Sequence, residues 1–153
     1  NMGSTMRMNY TMMGDTVNLA ARLEASAKQY GIYIQVNEST YKVVKDKFDW
    51  RFLDYVRVKG KQLPVKVYEL IAEKGKMNDT DKAVIEAFSQ AQELYFKQDW
   101  DNAINGFKEG KELEDMFPGR SENPSNVYLK RCYQLKENPP GKDWNGVWVL
   151  TKK

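Results

Sequence analysis

Histidine is missing from these 153 residues, and cysteine occurs once, at Cys132. The first absence removes the Ser-His-Asp triad, the Cys-His pair and every imidazole ligand or general base. The single thiol excludes an internal disulfide and any multi-cysteine zinc site. No apolar run approaches the ~20 residues of a membrane-spanning helix, and the first residues do not read as a charged-then-apolar leader. Charge of one sign is scarce too: 24 Lys+Arg face 21 Asp+Glu. The excess lies in residues 1–73, with 11 basic against 8 acidic residues, while residues 74–153 carry 13 of each. A nucleic-acid binder shows a denser basic stripe, whereas a small anionic ligand such as a nucleotide fits this balance. Any chemistry must run on carboxylates, hydroxyls, amides, lysine and arginine.

What is present is the composition of a soluble globular chain, 41% hydrophobic and 29% charged, long enough for one ordinary domain or two small ones. The first half alternates strand-like and helix-like stretches. Thr5–Thr11 reads as extended and ends at Met12-Met13-Gly14-Asp15-Thr16. Asp15 or Thr16 can accept from the free amides of a first turn, so a helix is predicted from Val17 to Gln29, stopped at Gly31. Leu19, Leu23, Ala27 and Tyr30 give that helix one apolar face. Residues 32–36 read as a strand, Asn37 as the cap of a short helix through Lys45, and residues 52–59 and 65–71 as two strands joined by Gly60-Lys61-Gln62-Leu63-Pro64. Strand, helix, strand, helix, strand, strand implies too few strands for a complete α/β sandwich. The expected fold class is α+β, an incomplete ferredoxin-like sandwich in residues 1–73 followed by a small all-helical module.

Residues 74–81 form a polar stretch containing Gly75 and read as a linker. Beyond it, residues 82–97 and 100–116 fit amphipathic helices with Asp99 as the cap of the second, and Pro124-Ser125 opens a third that carries Cys132. Cys132 reads as a buried structural thiol. The tail after Asn138 reads as irregular, with Trp144 and Trp148 laid across the helices.

The stretch Gly3-Ser4-Thr5-Met6-Arg7-Met8-Asn9-Tyr10-Thr11-Met12-Met13-Gly14-Asp15-Thr16-Val17-Asn18-Leu19-Ala20-Ala21-Arg22-Leu23-Glu24 resembles the hallmark segment of class III adenylate/guanylate cyclase catalytic domains. Val58-Lys59-Gly60-Lys61 and Pro64-Val65-Lys66-Val67-Tyr68-Glu69-Leu70 resemble that family's closing hairpin, so the likeness covers residues 1 to about 73. Residues 82–153 are similar, more loosely, to a tetratricopeptide helix pair, with Leu94, Trp100, Ala103 and Phe107 at its packing positions.

The resemblance implies ring closure of a nucleoside triphosphate, in which the ribose 3′-oxygen attacks the α-phosphorus and pyrophosphate departs. Charge grows on the phosphoryl oxygens as this happens, and a fixed guanidinium stabilises it. Asn18 and Arg22 stand four apart on the predicted helix and share a face. By resemblance they are the catalytic pair, the amide orienting the ribose and the guanidinium holding the charged transition state. Thr11 matches the position that reads the purine, and its hydroxyl favours ATP as substrate and cyclic AMP as product. One of Lys59 and Lys61 meets the triphosphate. Arg7 and Asp15 match motif positions but read as structural. The family's Mg2+ (or Mn2+) carboxylates belong to a segment upstream of this chain. Asp15, Asp46, Asp49 and Asp54 do not correspond to them, so this chain carries no metal ligand and is expected to be inactive alone. Further expectations are a homodimer, a cytoplasmic location for this segment, no nucleic-acid or membrane contact, and a protein partner bound through the helical part. A helical-repeat interaction module on a degenerate cyclase scaffold is the alternative reading.

Overall fold

The computed structural model describes residues 27–58, 60–115 and 119–150 and is a mixed α+β fold. The expected strand at 5–11 and most of the helix predicted over 17–29 lie outside those residues. The last turn of that helix, residues 27–30, is described and is helical, and Gly31 ends it at φ +72°. The amide of Ile32 donates back to the Ala27 carbonyl at 3.2 Å, closing the helix end as a left-handed terminator does.

Strand β1 is Gln35–Asn37 and is followed at once by α1, Glu38–Val44. The two abut because Asn37 is both the strand's last residue and the helix cap, its Oδ1 accepting from the Thr40 amide at 2.9 Å. A single 3-10 turn, Lys45–Lys47, leads into β2, Phe48–Val58, and a tight hairpin returns as β3, Val65–Glu73. Three helices follow: α2, Asp79–Phe96; α3, Trp100–Glu114; and α4, Pro124–Glu137. A last strand, β4, spans Trp148–Leu150.

The sheet has the order β1-β3-β2-β4, antiparallel throughout except for β4, which runs parallel to β2 with Val56 opposite Trp148 and Val58 opposite Leu150. The tail is irregular over residues 138–147, as expected, but it ends in a strand that the sequence reading lacked. Trp144 does cap the helices, packing on Tyr95, Phe96 and Trp100, but Trp148 belongs to the sheet. One helix start shifts and one cap bonds differently from expectation. Asn78 and Asp81 form a reciprocal capping box that starts α2 three residues before Lys82. Asp99 occupies the cap position of α3 without bonding an amide there, its carboxylate accepting instead from the Asn102 side chain.

Register decides what the sheet buries. Phe52 faces Tyr68 and Asp54 faces Val67, so Leu53 is an extra residue in β2. Such a bulge breaks the two-residue alternation, and here Leu53 and Asp54 are both fully buried. One apolar cluster joins Leu53, Val56 and Val67 to Ala27, Tyr30 and Ile32, with Val127 of α4 and Leu150 of β4 against it. A second lies among the helices, around Phe88, Tyr95, Phe107 and Tyr128. Close approach of α2 and α3 depends on Gly106, where a Cβ would come within 2.7 Å of the Ala91 methyl. The helices also bond to the sheet, since the Gln92 side-chain amide donates to the Leu53 carbonyl at 3.1 Å.

Candidate functional site

Of the residues predicted to handle substrate, Lys61 is among the described ones; Thr11, Asn18, Arg22 and Lys59 lie outside them. Lys61 stands in the β2–β3 turn, where a two-strand ribbon must reverse and Gly60 supplies φ +90°. Its amide donates to the Val58 carbonyl at 2.9 Å, and its own carbonyl accepts from the Arg57 guanidinium at 3.2 Å. That bond rigidifies the turn and sets a second cation beside an exposed Lys61. Sequence reasoning did not single out Arg57.

Twelve residues past Asn18 and eight past Arg22 stands Tyr30, the end of the predicted catalytic helix. It is buried, and its hydroxyl donates to Oδ2 of Asp54. Asp54 is the hub of a buried polar cluster. Its Oδ2 also meets the Arg131 guanidinium at 2.7 Å, while Oδ1 accepts from the Tyr128 hydroxyl at 2.8 Å and the Tyr55 amide at 2.8 Å. Arg131 donates in turn to the Tyr30 hydroxyl at 3.2 Å and lies over the rings of Tyr128 and Trp148 at 4.9 and 4.2 Å. Burial, then the neighbouring Asp54 charge, pushes the phenols of Tyr30 and Tyr128 well above their ordinary range, so both are donors. For Arg131 burial is the largest single effect and works against the charge, but Asp54 together with Tyr30, Tyr128 and Tyr95 outweighs it and the guanidinium stays protonated.

A second buried cluster ties the sheet to α3. Arg51 and Glu69 are directly opposite on β2 and β3, and Arg51 Nη2 meets Glu69 Oε1 at 2.5 Å. The same guanidinium reaches Glu114 on α3 through two bonds, at 2.7 and 3.0 Å, and it lies 4.8 Å from the Phe88 ring. Arg120 approaches both glutamates at 3.7 and 3.8 Å. Of these groups Arg51, Glu69 and Arg120 line a half-open cleft of about 420 Å³, together with Leu70, Val84 and Ile85. Cys132 is fully buried on α4, and burial pushes its thiol up to about 12.

Comparison with known proteins adds what geometry alone does not. Residues 2–72 match the adenylate and guanylate cyclase catalytic domain. The N-terminal half of the chain is thus similar to a nucleotide cyclase. A terminal-differentiation specific adenylate cyclase of Dictyostelium discoideum is 30% identical over 136 residues, 86% of this chain and 6% of that one. Adenylate cyclase 1 of Rhizobium meliloti (strain 1021) is 34% identical over 79 residues, 52% of this chain and 12% of that one. An adenylate cyclase of Anabaena cylindrica is 40% identical over 73 residues, 46% of this chain and 14% of that one. The chain therefore spans between 6% and 14% of the length of these relatives. No solved structure matches it. The match to the Dictyostelium protein cannot avoid the helices, because a stretch covering 86% of the chain must run far past residue 72.

Class III cyclases imply a divalent cation. Among the described residues no group of three or more carboxylate or thiol side chains is arranged to hold one. The three buried carboxylates are already engaged: Asp54 with Arg131, and Glu69 and Glu114 with Arg51. With their charges already balanced by arginine, these described residues do not fit a metal. No helix among the described residues is long and apolar enough to cross a membrane.

Proposed function

We propose that residues 1–73 are the C-terminal part of a nucleotide cyclase catalytic domain, that 74–81 link it to a tetratricopeptide-like helical segment at 82–153, and that the full-length protein converts ATP to cyclic AMP and pyrophosphate. The observation that carries this reading is the match over residues 2–72, which contains the block Gly14-Asp15-Thr16-Val17-Asn18-Leu19-Ala20-Ala21-Arg22. In the reaction the bond from the ribose 3′-oxygen to the α-phosphorus forms, the bond to the β-phosphate oxygen breaks, and the 3′-hydroxyl proton leaves to solvent. Asn18 orients the ribose. Arg22, planar and always charged, holds two phosphoryl oxygens as their charge grows. Thr11 meets the adenine edge, and Lys59 or Lys61 meets the polyphosphate. Mg2+ or Mn2+ supplies further charge neutralisation when bound, through ligands upstream of this chain, so residues 1–153 alone are inactive. The enzyme works as a homodimer in the cytoplasm.

The experiment is Arg22→Ala in the full-length protein. Cyclic AMP production should be abolished while the thermal midpoint stays within a few degrees; unchanged turnover removes the assignment. The similarity of the Dictyostelium adenylate cyclase across the helices as well supports a helical segment that works with the cyclase part rather than a separable interaction module.

A further inference from the structure

The end of the predicted catalytic helix is held by α4 at two separate places. The first is the Tyr30–Asp54–Arg131 cluster, in which one buried carboxylate on β2 is shared by the last residue of that helix and by a guanidinium from α4. The second is steric. At Gly31 the backbone runs so close to the residue before the α4 cap that a Cβ would stand 2.0 Å from the Glu122 carbonyl oxygen. Between the two, Val127 packs into the apolar cluster formed by Ala27, Tyr30 and Ile32. None of these side chains carries substrate chemistry, and a helix end that needed only burial would not require a charged hub.

We propose that α4 is a positioning clamp on the end, residues 27–31, of the helix predicted to carry Asn18 and Arg22, with Arg131 as its positioning residue. The proposal rests on the cyclase reading for what is positioned, but not for the clamp itself. Physically, a helix seated by an apolar face alone can rock about that face. A buried, charge-assisted bond at its end, over-determined by the Gly31 contact, fixes axial position and rotation together. A guanidinium that must meet a phosphoryl group in transit is sensitive to such shifts, since displacement by about 1 Å from a distant change can cost on the order of 100-fold in rate. The requirement also gives the helical segment a task that involves no outside partner.

Three variants test this in the full-length protein: Arg131→Met with Asp54→Asn, which removes the pair without stranding a buried charge; Arg131→Lys, which keeps a cation opposite Asp54; and Arg22→Ala as reference. Amide hydrogen exchange and cyclase kinetics are both read. For the neutral pair, exchange over residues 17–31 should accelerate about tenfold or more while α2 and α3 remain protected, and kcat should fall about 10- to 100-fold with the KM for ATP changed less than about threefold. Arg131→Lys should recover part of both losses. Unchanged exchange over 17–31, or faster exchange there with undiminished kcat, overturns the clamp. If Arg22→Ala leaves turnover intact, the cyclase reading fails instead, and the exchange measurement still decides whether α4 holds the helix end.

Discussion

Removing the guanidinium of Arg51 is the sharpest perturbation of how sheet and helices are joined. In the native chain that one group satisfies Glu69 across the strands and Glu114 on α3, all three side chains being almost wholly buried. Arg51→Met leaves two buried carboxylates to share the more distant Arg120. Breaking a buried pair from one side costs about 3–5 kcal/mol, because a charge remains without its counter-ion. Loss of the cation above the Phe88 ring adds about 1 kcal/mol. A domain of this size has a stability of about 5–15 kcal/mol, so this single change consumes a large share of it. With a urea slope of about 2 kcal/mol per molar, the unfolding midpoint should fall by about 2 M. The partner variant is Arg51→Met with Glu114→Gln, which leaves Glu69 and Arg120 as one balanced pair. It should be more stable than Arg51→Met alone, a non-additivity expected only of groups in contact. The assay is urea unfolding followed both by far-ultraviolet circular dichroism and by tryptophan fluorescence. The reasoning is refuted if the midpoint moves by less than about 0.5 M, or if the two substitutions add without coupling.

Three further outcomes are expected. Gly31→Ala should destabilise by more than about 2 kcal/mol, since φ +72° strains any Cβ and the Glu122 carbonyl occupies its space; a thermal midpoint lowered by several degrees checks this. Asn78→Ala deletes the capping box of α2 and should cost about 1 kcal/mol in the same urea assay. Alkali should unfold the protein gradually: Tyr30, Tyr95, Tyr128 and Cys132 all hold their protons more tightly when folded, chiefly through burial, than at their ordinary values of 10.0 and 9.0. A raised folded value gives stability that is complete below the unfolded value and is lost above it. The thermal midpoint should therefore be flat up to about pH 9 and decline beyond it, and a flat profile to pH 12 would refute the burial of these groups.

Local punctuation made much of the fold legible. Asn37 before a polar-apolar helix, Gly31 after one, Gly60 and Pro64 between two alternating strands, and Asn123-Pro124 at a helix start each state a backbone requirement in a single residue type. Part of the helix core was legible for a related reason: Trp100, Ala103 and Phe107, read as packing positions, are buried in it and Leu94 packs against it, while Phe88 and Tyr95 went unnoticed. What alternation could not show was the polar interior. Arg51 and Glu69 stand in step with the buried Leu53 and Val67, and charges at core-facing positions of two neighbouring strands were the available hint of a paired, buried bridge. Asp54 gave no such hint, because the bulge at Leu53 turns a position that alternation assigns to the outer face into a buried one. Trp148–Leu150 escaped notice because a three-residue strand has too little periodicity, and its partner lies some ninety residues earlier. Of the candidate substrate residues, Lys61 was placed on a turn by its neighbours Gly60 and Pro64, and the turn is where it stands; the roles proposed for Asn18, Arg22 and Thr11 rest on the motif alone, and these three lie outside the described residues.

Because β4 lies alongside β2 in the same direction, with Leu150 opposite Val58, its last residue stands at the end of the sheet where β2 gives way to the β2–β3 turn. A fluorophore carried on β4 at Val149 would consequently lie beside Arg57, its partner across the strands. Labels intended to watch that turn can be attached there without altering a single residue of the hairpin, and bulky carriers intended to be inert belong elsewhere.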